Sequence, residues 1–178
     1  MTNVIENARL PLVPLRGVTV FPNMIMHLDV GRPSSINALE AAMVADRRIF
    51  LVTQKELDMD APERDDLYDV GTVSEVRQII KIPDGNVRVL VEGVHRGVMT
   101  DYREIGGYTE VDVEIHEDAW QDSKQIEALV RGVVHKFEEW VKLSKRIPSE
   151  TFVAVTILED IGRLADLIVS HLNLKATQ

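Results

Sequence analysis

The sequence predicts an α+β protein: a small, partly closed β-barrel with one inserted helix over residues 1–116, then an α-helical subdomain over 117–178. Two observations carry this. Before residue 117 the apolar side chains recur mostly with period two, and after it with helical period. The change falls at the acidic, turn-prone stretch Glu117-Asp118-Ala119-Trp120-Gln121-Asp122.

The chain opens with Leu10-Pro11-Leu12-Val13-Pro14-Leu15-Arg16 and Phe21-Pro22-Asn23-Met24. Proline cannot donate to a strand ladder, so these segments are expected to start strands, run along edges or turn corners. Met24, Met26, Leu28 and Val30 alternate with Ile25, His27 and Asp29 as a strand with one more apolar face. From Pro33, Ile36, Leu39 and Met43 recur at helical spacing among alanines, a short helix with proline in its first turn. Ile49-Phe50-Leu51-Val52 is a continuous apolar run, the pattern of a buried strand. Between Glu56 and Asp69 seven carboxylates accompany only Arg64, which reads as a solvated, mobile connection. Val70–Ile82 and Val87–Val94 form the arms of a hairpin around Pro83-Asp84-Gly85-Asn86, with Gly93 and Gly97 marking a bulge or bend. Val111, Val113 and Ile115 alternate with polar residues in a last strand.

In the second part, Asp122 and Gln125 resemble a capping box ahead of a broad apolar stripe, Ile126, Leu129, Val130, Val133, Phe137, Trp140 and Val141. Ser149 is the expected cap of a short helix through Val155, and Ile161–His171 reads as a third helix.

Several classes of chemistry are absent from the sequence. There is no cysteine, hence no disulfide or thiolate site. There is no P-loop and no G-x-S-x-G elbow, and Ser123-Lys124 and Ser144-Lys145 are neighbours rather than a dyad, so no enzyme activity is expected. His27, His95, His116, His135 and His171 lack the short spacings of zinc ligands, and neither metal nor cofactor is expected in this chain. A net charge of −9 and 5% aromatic residues argue against nucleic acid as a partner. No apolar run is long enough for a membrane span, so no membrane partner is expected, and the chain reads as cytoplasmic. What remains is a binding surface, and the residues proposed for it are Leu10, Pro11, Leu12, Pro22, Asn23, Met24 and Met99, apolar groups in or near proline-bounded edges.

The string from Leu10 to Arg32 closely resembles the opening of the amino-terminal domain of bacterial, Bacillus-like ATP-dependent Lon proteases. The resemblance extends through Ser35–Glu40, Asp69–Thr72, Arg88–Gly93, Glu159–Asp166 and Ser170–Leu172. Ile161 and Asn173 depart from it, since that family often has proline at both positions. The resemblance implies a PUA-like pseudobarrel joined to a helical bundle. It also implies a role in capturing unfolded or damaged proteins for protein quality control, and in supporting assembly of a homohexamer of Lon subunits. ATP, Mg and serine–lysine peptidase chemistry are implied for the parent protease alone. A free-standing interaction module of the same type, or a PUA-like RNA-binding domain, is the alternative.

Overall fold

The computed structural model describes residues 2–83, 85–118, 123–144 and 149–172. They form an α+β protein with a mixed sheet of six strands and four α-helices: β1 (Thr2–Leu15), β2 (Ile25–Val30), α1 (Pro33–Val44), β3 (Arg48–Thr53), β4 (Val70–Lys81), β5 (Val87–Ile105), β6 (Tyr108–Asp118), α2 (Lys124–Leu143), α3 (Ser149–Ile157) and α4 (Ile161–His171). Two compact units result, Thr2–Glu117 holding the sheet and α1, and a helical unit from Asp118 onward.

The strand order is β2-β5-β4-β3-β1-β6, and β5 also pairs with β6, so the pairing runs in a ring through β5, β4, β3, β1 and β6, with β2 attached outside. β1 and β3 are parallel, with Leu12 opposite Phe50 and Leu15 opposite Thr53. The expectation that the prolines would lie at strand starts, edges or corners fails for Pro11 and Pro14, which lie inside β1 between two neighbouring strands. The ladder to β3 spans only Leu12–Leu15, which leaves Pro11 outside that register.

Strand β3 explains its own sequence. Ile49 and Leu51 face one core, shared with Ala38, Leu39 and Ala42 of α1, while Phe50 and Val52 face a second, shared with Val111, Val113 and Ile115 of β6. A strand buried on both faces reads as a continuous apolar run rather than an alternation. The same alternation divides β1, with Leu10 and Leu12 in the second core and Val13 and Leu15 in the first.

Strand β5 changes face partway along. Val89 and Val91 lie in the first core, yet Met99, an even number of residues on, lies in the second. The cause is a bulge: Ser74 pairs with Gly93 and Val73 with His95, leaving Val94 as an extra residue that reverses the side-chain parity. Gly71 and Gly97 make room for the Phe50 ring, since a Cβ on either would lie 2.6 and 3.2 Å from its atoms.

The β4–β5 hairpin is closed by Ile82 N–H to Asn86 O (2.9 Å) and Gly85 N–H to Ile82 O (3.1 Å), with Gly85 at φ +88°; Asp84 lies outside the described residues. A second hairpin turns on Gly106-Gly107, both at positive φ. In the helical unit, Ser123 caps α2 by accepting from Ile126 N–H (3.2 Å). The expected cap, Asp122, lies outside the described residues, as do Trp120 and Pro148. Asp160 caps α4 through Arg163 N–H (2.8 Å) and places Ile161 at the first helical position, where proline is also favoured. Phe137, Val155, Leu164 and Ile168 form this unit's core.

The acidic segment, expected as a solvated connection, is anchored by a buried side chain, hydrogen bonds and an ion pair. Leu67 is buried, and Gln54 is fully buried in an isolated bridge with it. Glu63 and Asp66 form a reciprocal capping box around one 3-10 turn, Arg64–Asp66. Lys55 N–H donates to Asp66 O (2.7 Å), and Arg64 pairs with Asp69. Hydrogen bonding by Arg64 holds the Asp69 carboxyl below its ordinary pKa.

Candidate functional site

The seven residues singled out for binding fall into two groups. Leu10, Leu12 and Met99 are core residues, only 1%, 2% and 3% exposed. Leu10 and Leu12 are covered because β1 is an interior strand, and Met99 because the Val94 bulge turns it inward. Pro11, Pro22, Asn23 and Met24 retain exposure, and the last three make one corner at the entry to β2.

That corner is built from hydrogen bonds to three strands. Thr53 Oγ1 lies 2.9 Å from Val18 O and from Thr19 Oγ1, and Thr72 Oγ1 donates to Val20 O at 2.6 Å. Asn23 N–H donates to Gly93 O and Gly93 N–H to Met24 O, each at 2.8 Å, while Met24 N–H closes a turn on Phe21 O (3.1 Å). Asn23 stands at φ 64°, a left-handed conformation that asparagine tolerates better than most residues. Gly93 is required for the approach, because a Cβ there would lie 2.2 Å from Phe21 O. The result is a rigid loop bearing half-buried Pro22 and Met24, with exposed Val18, Ile25 (62%) and Val94 on the same stretch and on the bulge it contacts. Sequence reasoning places Ile25 with His27 and Asp29 on the less apolar face of its strand but gives no sign that Val18 and Val94 stand exposed.

A second polar assembly lies at the start of α1. Arg32, at the N-cap, donates to Pro14 O (3.4 Å), Gln54 Oε1 (2.5 Å) and Met59 O (3.2 Å), and Gln54 Nε2 donates to Glu56 O (2.5 Å) and Met59 O (3.1 Å). Burial, then the charge of Arg16, holds the Arg32 guanidinium below its ordinary pKa. The signal for this cluster was Gln54 itself, a polar residue directly after a buried strand.

The helical unit carries its own apolar surface, a groove of about 920 Å³ between Leu129, Val133, Phe137 and Trp140 of α2 and Ile168 and Leu172 near α4. The Phe137 and Trp140 rings are tilted with centroids 5.7 Å apart. Among the described residues no helix is long and apolar enough to cross a membrane.

The sheet unit thus exposes a partly apolar corner, and the helical unit exposes an apolar groove, both surfaces suited to contact with a partner. The family model for the ATP-dependent protease La (LON) substrate-binding domain matches residues 9–178, and the chain belongs to that family. It is similar to Lon protease of Desulforamulus reducens, 54% identical over 170 residues that make up 96% of this chain and 21% of that relative. It is also similar to Lon protease 1 of Bacillus subtilis, 47% identical over 167 residues, 93% of this chain and 21% of that relative. The chain thus spans about a fifth of the length of these curated relatives. Its fold is similar to the N-terminal domain of a Mycobacterium avium complex Lon protease, with a TM-score of 0.56 and 15% identity, covering 93% of this chain and 100% of that one. A Lon N-terminal domain protein from Xanthomonas campestris gives a TM-score of 0.51 at 13% identity, covering 92% and 98%.

Proposed function

We propose that this chain is the part of a Lon-type ATP-dependent serine protease that captures unfolded or damaged proteins in the cytoplasm, contributing to hexamer assembly and carrying no catalytic activity itself. The sheet unit corresponds on this reading to a PUA-like pseudobarrel over 1–116, and 117–178 to the start of a helical bundle. ATP, Mg and peptide-bond chemistry belong to other modules of the parent.

The observation that carries this reading is the Pro22–Met24 corner with its exposed apolar neighbours Val18, Ile25 and Val94. Unfolded chains differ from folded ones in their accessible apolar side chains, and proline-bounded, methionine-bearing surfaces can meet varied apolar groups without pairing as strands. Binding is then weak and largely indifferent to salt, each apolar side chain contributing on the order of 1–2 kcal/mol.

The test is titration of this chain with unfolded casein at low and high salt, for the parent and for Pro22→Ser, Met24→Asp and Ile25→Asp. Stepwise loss of affinity with unchanged melting supports the proposal. Binding that survives all three changes, or collapses on adding salt, refutes the corner as the site and turns attention to Phe137 and Trp140.

A further inference from the structure

A cleft of about 690 Å³ lies in the sheet unit, walled by the end of β1 (Val13–Leu15) and the adjoining Arg16, by β2 with Gly31 and Arg32, and by Pro33 and Ser35 of α1. β2 pairs with β5 on one side, and its outer edge has no strand partner among the described residues.

Three features of this cleft leave a hydroxyl, a charge and a helix end without a direct counterpart. The Ser35 hydroxyl is buried, the residue only 2% exposed, and has no hydrogen-bond partner among the described residues. A buried unpaired hydroxyl is a cost to the free protein that a ligand can remove. The three acceptors facing the Arg32 guanidinium, Pro14 O, Gln54 Oε1 and Met59 O, are all neutral; Asp60, also on the cleft wall, acts on its charge at longer range but is not among those acceptors. The first turn of α1 has no side-chain cap and no acidic residue, so the positive end of the helix faces the cleft uncompensated. The acids nearby are engaged elsewhere: Asp29 is held by Arg88 at 2.7 and 3.0 Å, and Asp60 by Arg16 at 2.8 Å.

We propose that this cleft takes the C-terminal carboxylate of an extended polypeptide. The carboxylate lies against Arg32, the Ser35 hydroxyl and the first turn of α1, and the preceding residues run beside β2. A guanidinium charge with no carboxylate in contact, a free hydroxyl and helix N–H groups suit a carboxylate. Val18, Met26 and Leu28 on the walls suit the apolar side chain next to it. A free strand edge suits an extended backbone. The net charge of −9 disfavours a polyanion in the same place. This inference rests on the reading of the chain as a substrate-binding domain and adds one chemical determinant to it.

The probes are short labelled peptides with apolar C-terminal residues, as free acid and as C-terminal amide, together with inorganic phosphate as competitor. Expected is a free acid that binds at least about tenfold more tightly than its amide, the worth of one charge-assisted hydrogen bond. Ser35→Ala is expected to lose about tenfold in affinity for the acid while melting no lower than the parent, because it removes an unpaired buried hydroxyl. Arg32→Gln is expected to lose binding too, but Ser35→Ala decides where Arg32→Gln destabilises the fold. Equal binding of acid and amide, an unaffected Ser35→Ala, or displacement by equimolar phosphate overturns the proposal. Should the peptides fail while casein capture persists, only this inference falls; should casein capture fail as well, the substrate-binding reading falls with it.

Discussion

Gly93→Ala probes the contact on which the exposed corner depends. A Cβ at this position would stand 2.2 Å from Phe21 O and 3.0 Å from Phe21 C, both backbone atoms that no rotamer change can move aside. The loop must retreat, which breaks the hydrogen bonds Asn23 N–H to Gly93 O and Gly93 N–H to Met24 O. Two net hydrogen bonds are worth about 1–3 kcal/mol together. Overpacking adds about 1–3 kcal/mol, so the loss is on the order of 2–6 kcal/mol. At roughly 4 °C per kcal/mol for a unit of this size, melting followed by the strand signal in circular dichroism should fall by about 8–24 °C. Amide exchange at Asn23 and Gly93 should accelerate more than at Val89 or Val91, because the corner opens before the core does. Gly132→Ala on α2 is the control, with no atom within 4 Å of its Cβ and an expected gain of about 0.5–1 kcal/mol. A Gly93→Ala protein that melts within 2 °C of the parent, a shift of only about 0.5 kcal/mol, with unchanged exchange at Asn23, would refute the reasoning.

Two further outcomes follow from the packing and the charges. Phe50→Ala, at a fully buried site between the close approaches of Gly71 and Gly97, should cost about 3–5 kcal/mol by thermal or denaturant unfolding. Hydrogen bonding to Arg88 holds Asp29, to Arg64 Asp69, and to Arg9 Asp112 below the ordinary 3.8, so the unfolded chain binds protons more readily than the folded one. This stability is fully present above about pH 4 and should be lost as pH falls below 3.8, seen as a drop in melting temperature that 1 M salt, where screening acts over only about 3 Å, makes smaller.

The parts of the fold read correctly from sequence are those whose pattern is local. The β4–β5 hairpin followed from Pro83, Gly85 and Asn86, and α4 from its apolar stripe, because turn chemistry and helical period act over a few residues. The misreadings all involve partners distant in sequence. Leu10 and Leu12 looked like edge residues because prolines flank them, but β3 and β6 close over both sides of β1. Met99 looked free because nothing near it in sequence signals that Val94, five residues earlier, shifts the pleat by one. The acidic segment looked mobile because its charge was visible and its anchors, Gln54 and Leu67, were not. Within the candidate site the corner residues Pro22, Asn23 and Met24 were legible as turn and surface types. The Ser35–Arg32 assembly was not, since a serine in the first turn of a helix is ordinarily a solvated or capping residue.

If the proposed capture of unfolded chains holds, the ring of pairings sets a limit on how it can work. A receptor for unfolded polypeptide with long open strand edges would pair with its clients and aggregate with them. Here β5 closes the sheet by pairing with β6, so among the described strands the outward edge belongs to β2, six residues from Ile25 to Val30. The buried half of that strand, Leu28 and Val30, is tied into the first core, and its exposed Asp29 is paired across the strand with Arg88. Such an edge can accept a short extended segment and no more. On the proposed reading, capture through an apolar corner and a short edge is weak per contact and readily reversed, as a domain that hands its clients to another module would need.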